Sequence, residues 1–313
     1  MSTTDTERPL DALGIAGAVL CCALWGGNAV AVKYAVPDFP PFGCASFRFA
    51  LALPLIALGC RISGQPLWPK PETWLLLLLN AAVTVIQIGT YNWGTGHSQA
   101  GRSSIFINVH PLVVAPLAWA FLREPMGWRG GLGLGAAAGG VVVLLSEKTG
   151  GTTSSYLIGD LVVLFSGVVF GAQTILQKKT FPRIPPATLL FGQTFLAIPI
   201  FVLVSGVAEG FSTYRFTAHA TLGVLYQGFA VSGVCFTIWM LLLKRYPAGK
   251  LATLAFLTPF FGVALGGLMR GEQLTIALLG GGALVAIGIY LVSSDHTARH
   301  LPADILLPGE DAL

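Results

Sequence analysis

Apolar runs of about twenty residues follow one another along this chain from residue 12 to residue 293. A helix needs about 20 mainly apolar residues to cross the hydrocarbon core of a bilayer. Ten such runs are present: 12–33, 40–60, 72–93, 100–122, 127–146, 156–178, 185–205, 217–243, 248–269 and 273–293. They are continuous rather than alternating, which excludes a membrane-spanning β-barrel. The sequence therefore predicts an all-α integral membrane protein with ten transmembrane helices.

The charge content indicates the same class of protein. Only 10% of the 313 residues are charged and 54% are hydrophobic, whereas soluble domains average about 25% charged residues. The lipid bilayer is therefore the expected surrounding. The basic residues are scattered singly, which argues against a nucleic-acid partner. The five cysteines lack metal-ligand spacing and the glycine runs lack the lysine of a phosphate loop, so no metal or cofactor is predicted.

The basic residues of the predicted loops set the orientation. Twelve Lys and Arg residues fall on one side of the membrane and five on the other, with Arg48 inside a span. Because cytoplasmic loops carry the excess of Lys and Arg, both termini are predicted to lie in the cytoplasm, with residues 294–313 as a cytoplasmic tail. The N-terminus lacks the basic region of a signal peptide, so the first run is interpreted as a retained helix.

The chain contains an internal repeat. Residues 100–124 match residues 248–272 at an offset of 148, which places Pro111 on Pro259. Earlier in each half the offset is 145, and Trp25-Gly26 falls on Phe170-Gly171. Matches at many landmarks along both halves favour a duplication over chance.

The repeat predicts the domain organisation. The first half comprises residues 1–146, a linker follows at 147–155, and the second half comprises residues 156–293. Each half holds five predicted spans, and an odd number forces the second half to be inverted in the membrane. Inverted repeats are typical of transporters, with the substrate site between the repeats near the bilayer midplane.

Polar side chains recur on one face of several predicted helices, and they are the candidate lining of a central cavity. In the third span they are spaced by 4, 3 and 4 residues, which is one helical face. The candidates are Trp25, Asn28, Asn80, Thr84, Gln87, Tyr91, Phe170, Gln173, Ser232 and Trp239. The alternative is that these groups hydrogen-bond to a neighbouring helix, a contact worth about 0.6 kcal/mol in membranes.

Arg48 is a charged residue well inside a predicted span, and such a charge is costly without a partner. One interpretation is that Arg48 is the counter-ion of a substrate carboxylate. The other is that it braces the bundle by bonding to carbonyl groups at helix ends. The equivalent residue in the second half is the neutral Gln193. The charge is therefore not a requirement that the two halves share.

Asn108 and His110 are further candidates, because they lie beside Pro111 in the fourth span. Proline removes an intrahelical hydrogen bond, which makes polar neighbours plausible. His110 is interpreted either as a protonatable gate or as a packing histidine. All fourteen acidic residues lie in predicted loops, tails or span ends. Passive facilitation, exchange or coupling through histidine is therefore favoured over a pump driven by a carboxylate.

Glycines recur at every fourth residue in the fifth span, at Gly127, Gly131, Gly135 and Gly139. The tenth span holds Gly280-Gly281-Gly282. Small residues at this spacing allow close approach of helices in membranes. These spans are predicted to be packing helices or the contact of a homodimer rather than the site.

Three segments resemble the EamA-type transporters of the drug/metabolite transporter superfamily. They are ALWGGNAVAVK at residues 23–33, FRFALALP at residues 47–54, and Pro111 followed by LREP at residues 122–125. The resemblance implies ten helices around a central cavity, with the fifth and tenth helices at the periphery, in the plasma membrane of a bacterium. Within the superfamily, the exporters of amino acids and aromatic metabolites are the branch it favours.

The expected function is transport of a small amphiphilic metabolite, such as an apolar or aromatic amino acid, by alternating access. A carrier of phosphorylated or nucleotide-linked sugars is the second possibility. It would need several basic residues in the cavity, and the sequence offers Arg48 with Lys33 only at a span end. A membrane-embedded enzyme acting on lipids would need a clustered acid, base or metal set, and no such spacing is present. A transporter, not an enzyme, is therefore predicted.

Overall fold

A computed structural model describes residues 11–122, 128–146, 153–210, 214–245, 254 and 257–293. Within these ranges the chain consists of helices and their connections. Six helices are long and apolar enough to cross a membrane: Ala12–Ala35, Pro41–Ile62, Pro71–Gly96, Tyr156–Gln177, Pro186–Ala208 and Ala218–Trp239. Shorter apolar helices cover Trp128–Leu144, Leu257–Arg270 and Ile276–Leu291. The prediction of an all-α, multi-pass membrane protein is confirmed.

The helices are numbered in chain order. They are α1 (Ala12–Ala35), α2 (Pro41–Ile62), α3 (Trp74–Gly96), α4 (Ala100–Ile107), α5 (His110–Leu122), α6 (Trp128–Ser146), α7 (Thr153–Thr180), α8 (Pro186–Ala208), α9 (Ala218–Leu225), α10 (Phe236–Arg245), α11 (Leu257–Arg270) and α12 (Ile276–Ser293). Residues Tyr226–Cys235 form a π-helical segment that joins α9 to α10 without a break. Wide π turns of this kind are rare and are often found at functional sites.

The predicted span over residues 100–122 consists of two helices, because α4 ends at Ile107 and α5 begins at His110. Pro111 has no backbone N–H and therefore cannot bond to the carbonyl four residues earlier, which is that of Ile107. The Nδ1 atom of His110 lies 3.3 Å from this carbonyl oxygen. The histidine next to the proline thus supplies a partner for the group that the proline leaves free.

Helices α2 and α8 cap each other. Glu209, just after α8, accepts hydrogen bonds from the backbone N–H groups of Phe42 and Gly43 at the start of α2, at 3.0 and 3.2 Å. Gln65, just after α2, accepts a bond of 2.8 Å from the N–H of Ala187 at the start of α8. The first N–H groups of a helix have no partner within the helix. A residue just after each of these two helices therefore supplies hydrogen-bond acceptors for the first N–H groups of the other.

Glu272 caps α4 in the same way. Its carboxylate accepts hydrogen bonds from the N–H groups of Ala100 and Gly101, at 2.7 and 2.9 Å. A carboxylate is also favoured there by the positive end of the helix dipole. The matching residues of the repeat, Glu124 and Ala248-Gly249, lie outside the described residues.

Two glycines at equivalent positions of the repeat make equivalent close contacts. A Cβ atom on Gly26 of α1 would lie 2.6 Å from the Cβ of Phe261 in α11. A Cβ on Gly171 of α7 would lie 2.6 Å from the Cβ of Val113 in α5. Both separations are shorter than real Cβ contacts allow, so only glycine fits. Positions related by the offsets of 145 and 148 are therefore equivalent in their contacts as well as in their sequence.

Helices α6 and α12 pack tightly on each other through glycine. A Cβ on Gly140 would lie 2.5 Å from the carbonyl oxygen of Gly281, and a Cβ on Gly288 would lie equally close to that of Gly133. The predicted close packing of these two helices is present. However, it does not use the glycines at every fourth residue, because Gly131, Gly135 and Gly139 have no other atoms within 4 Å of an added Cβ.

Candidate functional site

Arg48 lies inside the helix bundle with only 2% of its surface exposed. Its Nε donates a hydrogen bond of 2.5 Å to Oγ of Ser232, on the π-helical segment. Its guanidinium carbon lies 5.9 Å from the centre of the Phe49 ring. Its Nη1 has no hydrogen-bond partner. A buried charged donor without a partner is costly, so this atom marks a place where an acceptor is missing.

Tyr91 joins further polar groups to this arginine. The polar neighbours of the tyrosine hydroxyl are Asn28, Arg48 and Thr95. Oδ1 of Asn28 is buried and has no hydrogen-bond partner. We call these four residues together with Ser232 the polar centre. It brings together α1, α2, α3 and the π-helical segment, and four of its members were predicted from the sequence; Thr95 was not.

The other predicted residues of α3 face α7 instead. Nε2 of Gln87 donates to Oγ of Ser166 at 3.1 Å, and the same hydroxyl donates to the backbone carbonyl of Gln87 at 2.7 Å. Gln173 donates from Nε2 to Oγ1 of Thr84 at 2.7 Å. All four side chains are buried. Their hydrogen bonds run directly from one helix to the other.

Asn80 extends this row of contacts by one more pair. Its Nδ2 donates to Oγ1 of Thr180 at 3.1 Å and to the carbonyl of Leu76 at 2.8 Å, while its Oδ1 has no partner. We call the set of contacts between α3 and α7 the polar seam. Its geometry favours the bracing interpretation for Thr84, Gln87 and Gln173, because each bonds to the opposite helix. Asn80 also donates across the seam, although its Oδ1 is unpaired.

Trp25 and Trp239 belong to a different seam, between α1 and the segment that runs from the π helix into α10. The rings of Trp25 and Trp239 are 4.8 Å apart in an edge-to-face arrangement, and Phe236 lies 6.0 Å from Trp25. Beside them, Sγ of Cys21 points to the carbonyl of Cys235 at 3.6 Å, and Sγ of Cys235 points to the carbonyl of Cys21 at the same distance. We call this set the aromatic seam.

Asn108, His110 and Phe170 lie at a fourth place, where α4 and α5 meet α7. Nδ2 of Asn108 donates to the carbonyl of Ser104 within its own turn, at 2.7 Å. The ring of His110 lies 4.3 Å from that of Phe170. The structure thus divides the predicted residues between the polar centre, the two seams and this contact. Phe256, which is equivalent to Asn108 at the offset of 148, lies outside the described residues.

Sequence reasoning missed a buried ion pair between α4 and α7. Arg102 and Asp160 are both buried within helices. The carboxylate of Asp160 accepts from Nε and Nη2 of Arg102 at 2.9 and 2.7 Å, and also from Oγ of Ser98. Nη2 further donates to the carbonyl of Leu144 at 2.5 Å. The available signal was that both charges stand inside or at the edge of apolar runs.

A polar cavity of about 360 Å³ opens where α1 and α11 end. Lys33, Ser98, Gln99, Tyr156, Arg270, Gly271, Glu272 and Gln273 line it. Nζ of Lys33 donates to the carbonyl of Gly96 at 3.1 Å. Lys33 lies five residues after Asn28 on α1, about 7.5 Å along the helix axis. The cavity therefore lies at the C-terminal end of α1, and no residue of the polar centre lines it.

Membrane-length helices packed around buried polar side chains define a multi-pass membrane protein. The model of the EamA-like transporter family matches this chain over residues 12–146 and again over residues 157–294. The chain therefore belongs to the EamA-like transporter family, and the resemblance noted in the sequence is confirmed. It is a membrane transporter of that family.

Relatives match nearly the whole chain. "Uncharacterized transporter YvbV" of Bacillus subtilis (strain 168) is 28% identical, covering 90% of this chain and 91% of the relative. "Probable amino-acid metabolite efflux pump" of Salmonella typhimurium is 28% identical, covering 88% and 92%. "Probable terminal-alkyne amino-acid exporter" of Streptantibioticus cattleyicolor is 24% identical, covering 91% and 95%. A solved crystal structure has the same fold, with a TM-score of 0.68 at 17% identity, covering 90% of this chain and 96% of the other.

Proposed function

We propose that this protein exports small amphiphilic metabolites, in particular apolar or aromatic amino acids, across the plasma membrane. The observation that carries the proposal is the buried guanidinium of Arg48, whose Nη1 has no partner. A substrate carboxylate supplies the missing acceptor, and charge-assisted hydrogen bonds of this kind are strong. Cys235 of the aromatic seam follows Ser232, the partner of Arg48, by three residues on the π-helical segment. The seam therefore offers an apolar wall near the charge to the rest of the substrate.

The names of two relatives support the substrate class. One is named as an amino-acid metabolite efflux pump and another as an exporter of terminal-alkyne amino acids. Both align with nearly the full length of this chain, so their membrane-spanning parts and this one are comparable throughout. Export of an amino acid or a close derivative is the activity that these names and the buried arginine have in common.

The mechanism we propose is alternating access between two inverted repeats of five spans, residues 1–146 and 156–293, with α4 and α5 forming one interrupted span. The equivalent glycine contacts of α1 with α11 and of α7 with α5 support it. So do the caps that α2 and α8 exchange. In this arrangement both termini lie in the cytoplasm. The two seams join opposite halves, so they are the surfaces about which the halves rock.

A carrier of phosphorylated or nucleotide-linked sugars is the less favoured alternative. A phosphate carries up to two negative charges and usually needs several cations or helix N-termini. Within the described residues the polar centre holds a single cation, Arg48, and its charge matches one carboxylate. The described residues also include no group of three or more His, Cys, Asp or Glu side chains that could hold a metal ion, so a metal-dependent lipid enzyme is not favoured either.

Exchange, facilitated diffusion or coupling through His110 fits the inventory of charges better than a carboxylate pump. Asp160 is committed to Arg102, and the polar centre has no acidic member. His110 lies between the freed carbonyl of Ile107 and the ring of Phe170. Flux that persists unchanged after collapse of the proton gradient would remove His110 as a coupling group.

Self-association through α6 is a separate proposal. Gly131, Gly135 and Gly139 face away from α12 and are open to an added side chain. Small residues at every fourth position permit close helix contacts in membranes. A second copy of the protein is the occupant expected on this face, and cross-linking in the membrane tests it.

The experiment for the main proposal is transport by purified protein in liposomes. Vesicles loaded with labelled phenylalanine should release it through the protein and should exchange it for external leucine or tryptophan. A glucose phosphate offered at the same concentration should neither move nor compete. A true substrate should also raise the melting temperature, because a ligand that binds only the folded state stabilises it. Absence of flux for every amino acid tried, or competition by the sugar phosphate alone, would exclude the proposal.

A further inference from the structure

We propose that the polar centre binds both ends of a zwitterion, the carboxylate on Nη1 of Arg48 and the ammonium group on Oδ1 of Asn28. The inference rests on the proposed function and narrows it. The substrate must carry a free amino group close to a free carboxylate. Amines without a carboxylate and acids without an amino group are then poor ligands, whatever their side chain.

The two unpaired atoms have opposite character. Nη1 of Arg48 is a charged donor, while Oδ1 of Asn28 is an acceptor with a partial negative charge. Arg48 is 2% exposed and Asn28 7% exposed, and neither atom has a partner. Leaving both atoms unsatisfied lowers the stability of the empty protein. A single ligand that brings an anion to one atom and a cation to the other relieves both penalties at once.

The surroundings hold these atoms in place without neutralising them. Ser232 binds Nε of Arg48, which leaves Nη1 as the free edge of the guanidinium. The ionisable side chains that act on Arg48 are Tyr91, Cys44 and Cys235, none of them a carboxylate. The protein therefore supplies no carboxylate to this guanidinium within the described residues. Asn28 and Arg48 both act on the hydroxyl group of Tyr91, so the residues that carry the two unpaired atoms lie around one tyrosine side chain.

A purely anionic or purely cationic ligand fits this centre less well. An anion that contacts Arg48 would bring a second acceptor towards Oδ1 of Asn28. A cation that contacts Asn28 would face the guanidinium charge. Unlike charges attract and like charges repel more strongly in a low-dielectric interior than in water. The arrangement therefore selects ligands whose own two charges are opposite and close together.

The equivalent positions of the other half lack this arrangement. Gln173 takes the place of Asn28 and donates to Thr84, and Gln193 takes the place of Arg48 and accepts from Gln177 at 3.5 Å. Both side chains are neutral and have partners within the protein. The zwitterion site is therefore formed by Asn28 and Arg48 of the first half and not by the equivalent residues of the second half. The substrate accordingly binds in one orientation.

The test uses three ligands with the same aromatic ring. Phenylalanine has both charged groups, phenethylamine lacks the carboxylate, and 3-phenylpropionate lacks the amino group. Each competes for the exchange of labelled phenylalanine in liposomes, and each is also measured by its shift of the melting temperature. With the wild-type protein, phenylalanine should compete at least about tenfold more strongly than either analogue, the ratio expected from one charge-assisted hydrogen bond.

Two variants separate the two ends of the ligand. Arg48→Gln should bring phenylalanine and phenethylamine to nearly equal affinity. Asn28→Leu should bring phenylalanine and 3-phenylpropionate to nearly equal affinity while leaving that of 3-phenylpropionate unchanged. Asn28→Asp should keep the preference for the amino group, because a carboxylate also accepts from an ammonium. Gln193→Leu is the matched control in the second half and should alter neither ratio.

The outcomes distinguish this inference from the proposed function. A wild-type protein that transports phenylalanine but binds the three ligands alike would overturn the zwitterion site and leave transport standing. Equal changes of both ratios in either variant would also overturn it, since they indicate a general loss of structure. If Arg48→Gln does not fold, the zwitterion site is still tested by the affinity ratios of the wild-type protein and by the Asn28→Leu and Asn28→Asp variants. Absence of transport of any amino acid would reject the proposed function, and the inference with it.

Discussion

Helices α7 and α1 occupy equivalent places in the repeat but differ in how many polar side chains they carry and in whether those side chains have hydrogen-bond partners. On α7, Asp160, Ser166, Gln173 and Thr180 all bond to another helix, to Arg102, Gln87, Thr84 and Asn80 respectively. The equivalent residues of α1, at an offset of 145, are Ile15, Cys21, Asn28 and Ala35. Only one of these is strongly polar, and its Oδ1 has no partner.

The difference separates structure from function within one fold. A polar residue whose hydrogen bonds all go to a neighbouring helix stabilises the contact between the two helices. It has no hydrogen-bonding group left for a ligand. A buried polar atom without a partner lowers stability, and such groups are retained where a function needs them. The polar seam of α7 is therefore interpreted as a brace, and the neighbourhood of α1 as the place where substrate completes the hydrogen bonding.

The largest expected effect comes from breaking the ion pair of α7. Asp160→Asn leaves the charge of Arg102 buried without a counter-ion, and we expect a loss of about 3–5 kcal/mol in the free energy of unfolding. Thermal unfolding in detergent, followed by the fraction that remains monodisperse, measures it. The double variant Arg102→Met with Asp160→Leu should regain most of the loss, because it removes both charges. A single variant as stable as the wild type would contradict the structural role.

The next effect tests whether the two helices are equivalent in their packing. Gly171→Ala on α7 and Gly26→Ala on α1 each place a methyl group 2.6 Å from another Cβ. Overpacking of this kind costs about 1–3 kcal/mol, and we expect the same cost in both variants. Gly139→Ala, with open space around it, is the control and should unfold like the wild type. Clearly unequal losses at the two glycines would break the equivalence.

A smaller effect distinguishes a satisfied amide from an unsatisfied one. Gln173→Leu removes the bond to Thr84, and we expect a loss of about 0.6–1.7 kcal/mol, the range found for hydrogen bonds between membrane helices. Asn28→Leu removes an oxygen that has no partner together with the amide contact to the Tyr91 hydroxyl, so we expect a smaller loss of stability than in Gln173→Leu. The melting temperatures of the two variants, measured without ligand, check this. A larger loss at Asn28 than at Gln173 would reverse the assignment of brace and site.

The smallest effect on stability is expected from exchanging Ser166 and Cys21. Their side chains point to the backbone carbonyls of Gln87 and Cys235, which are equivalent positions of the repeat. Ser166→Cys gives α7 the residue of α1, and Cys21→Ser does the reverse. A thiol is a weaker donor than a hydroxyl, so Ser166→Cys should lower stability by about 0.6 kcal/mol. Cys21→Ser should change it by less than about 0.5 kcal/mol, since the hydroxyl can donate to the same carbonyl of Cys235. Chemical denaturation of both proteins in one detergent is precise enough to compare them.

Several features of this protein follow from its sequence alone. Uninterrupted apolar runs and scarce charge determine a helical membrane protein, because no other use of such runs satisfies the backbone in lipid. The offsets of 145 and 148 predicted equivalent positions, and Gly26 and Gly171 make equivalent contacts. Three segments, at residues 23–33, 47–54 and 111–125, indicated the family, and Arg48 is a candidate because a charge within a span is costly.

Other features needed the tertiary structure. Periodicity places Gln87 and Tyr91 on one face of α3, but it does not say which helix lies opposite that face. The structure places the partner of Gln87 on α7 and surrounds Tyr91 with Asn28, Arg48 and Thr95. A polar side chain is a brace or a binding group according to whether its partner belongs to the protein. That depends on contacts between residues far apart in the chain, which only the folded arrangement decides.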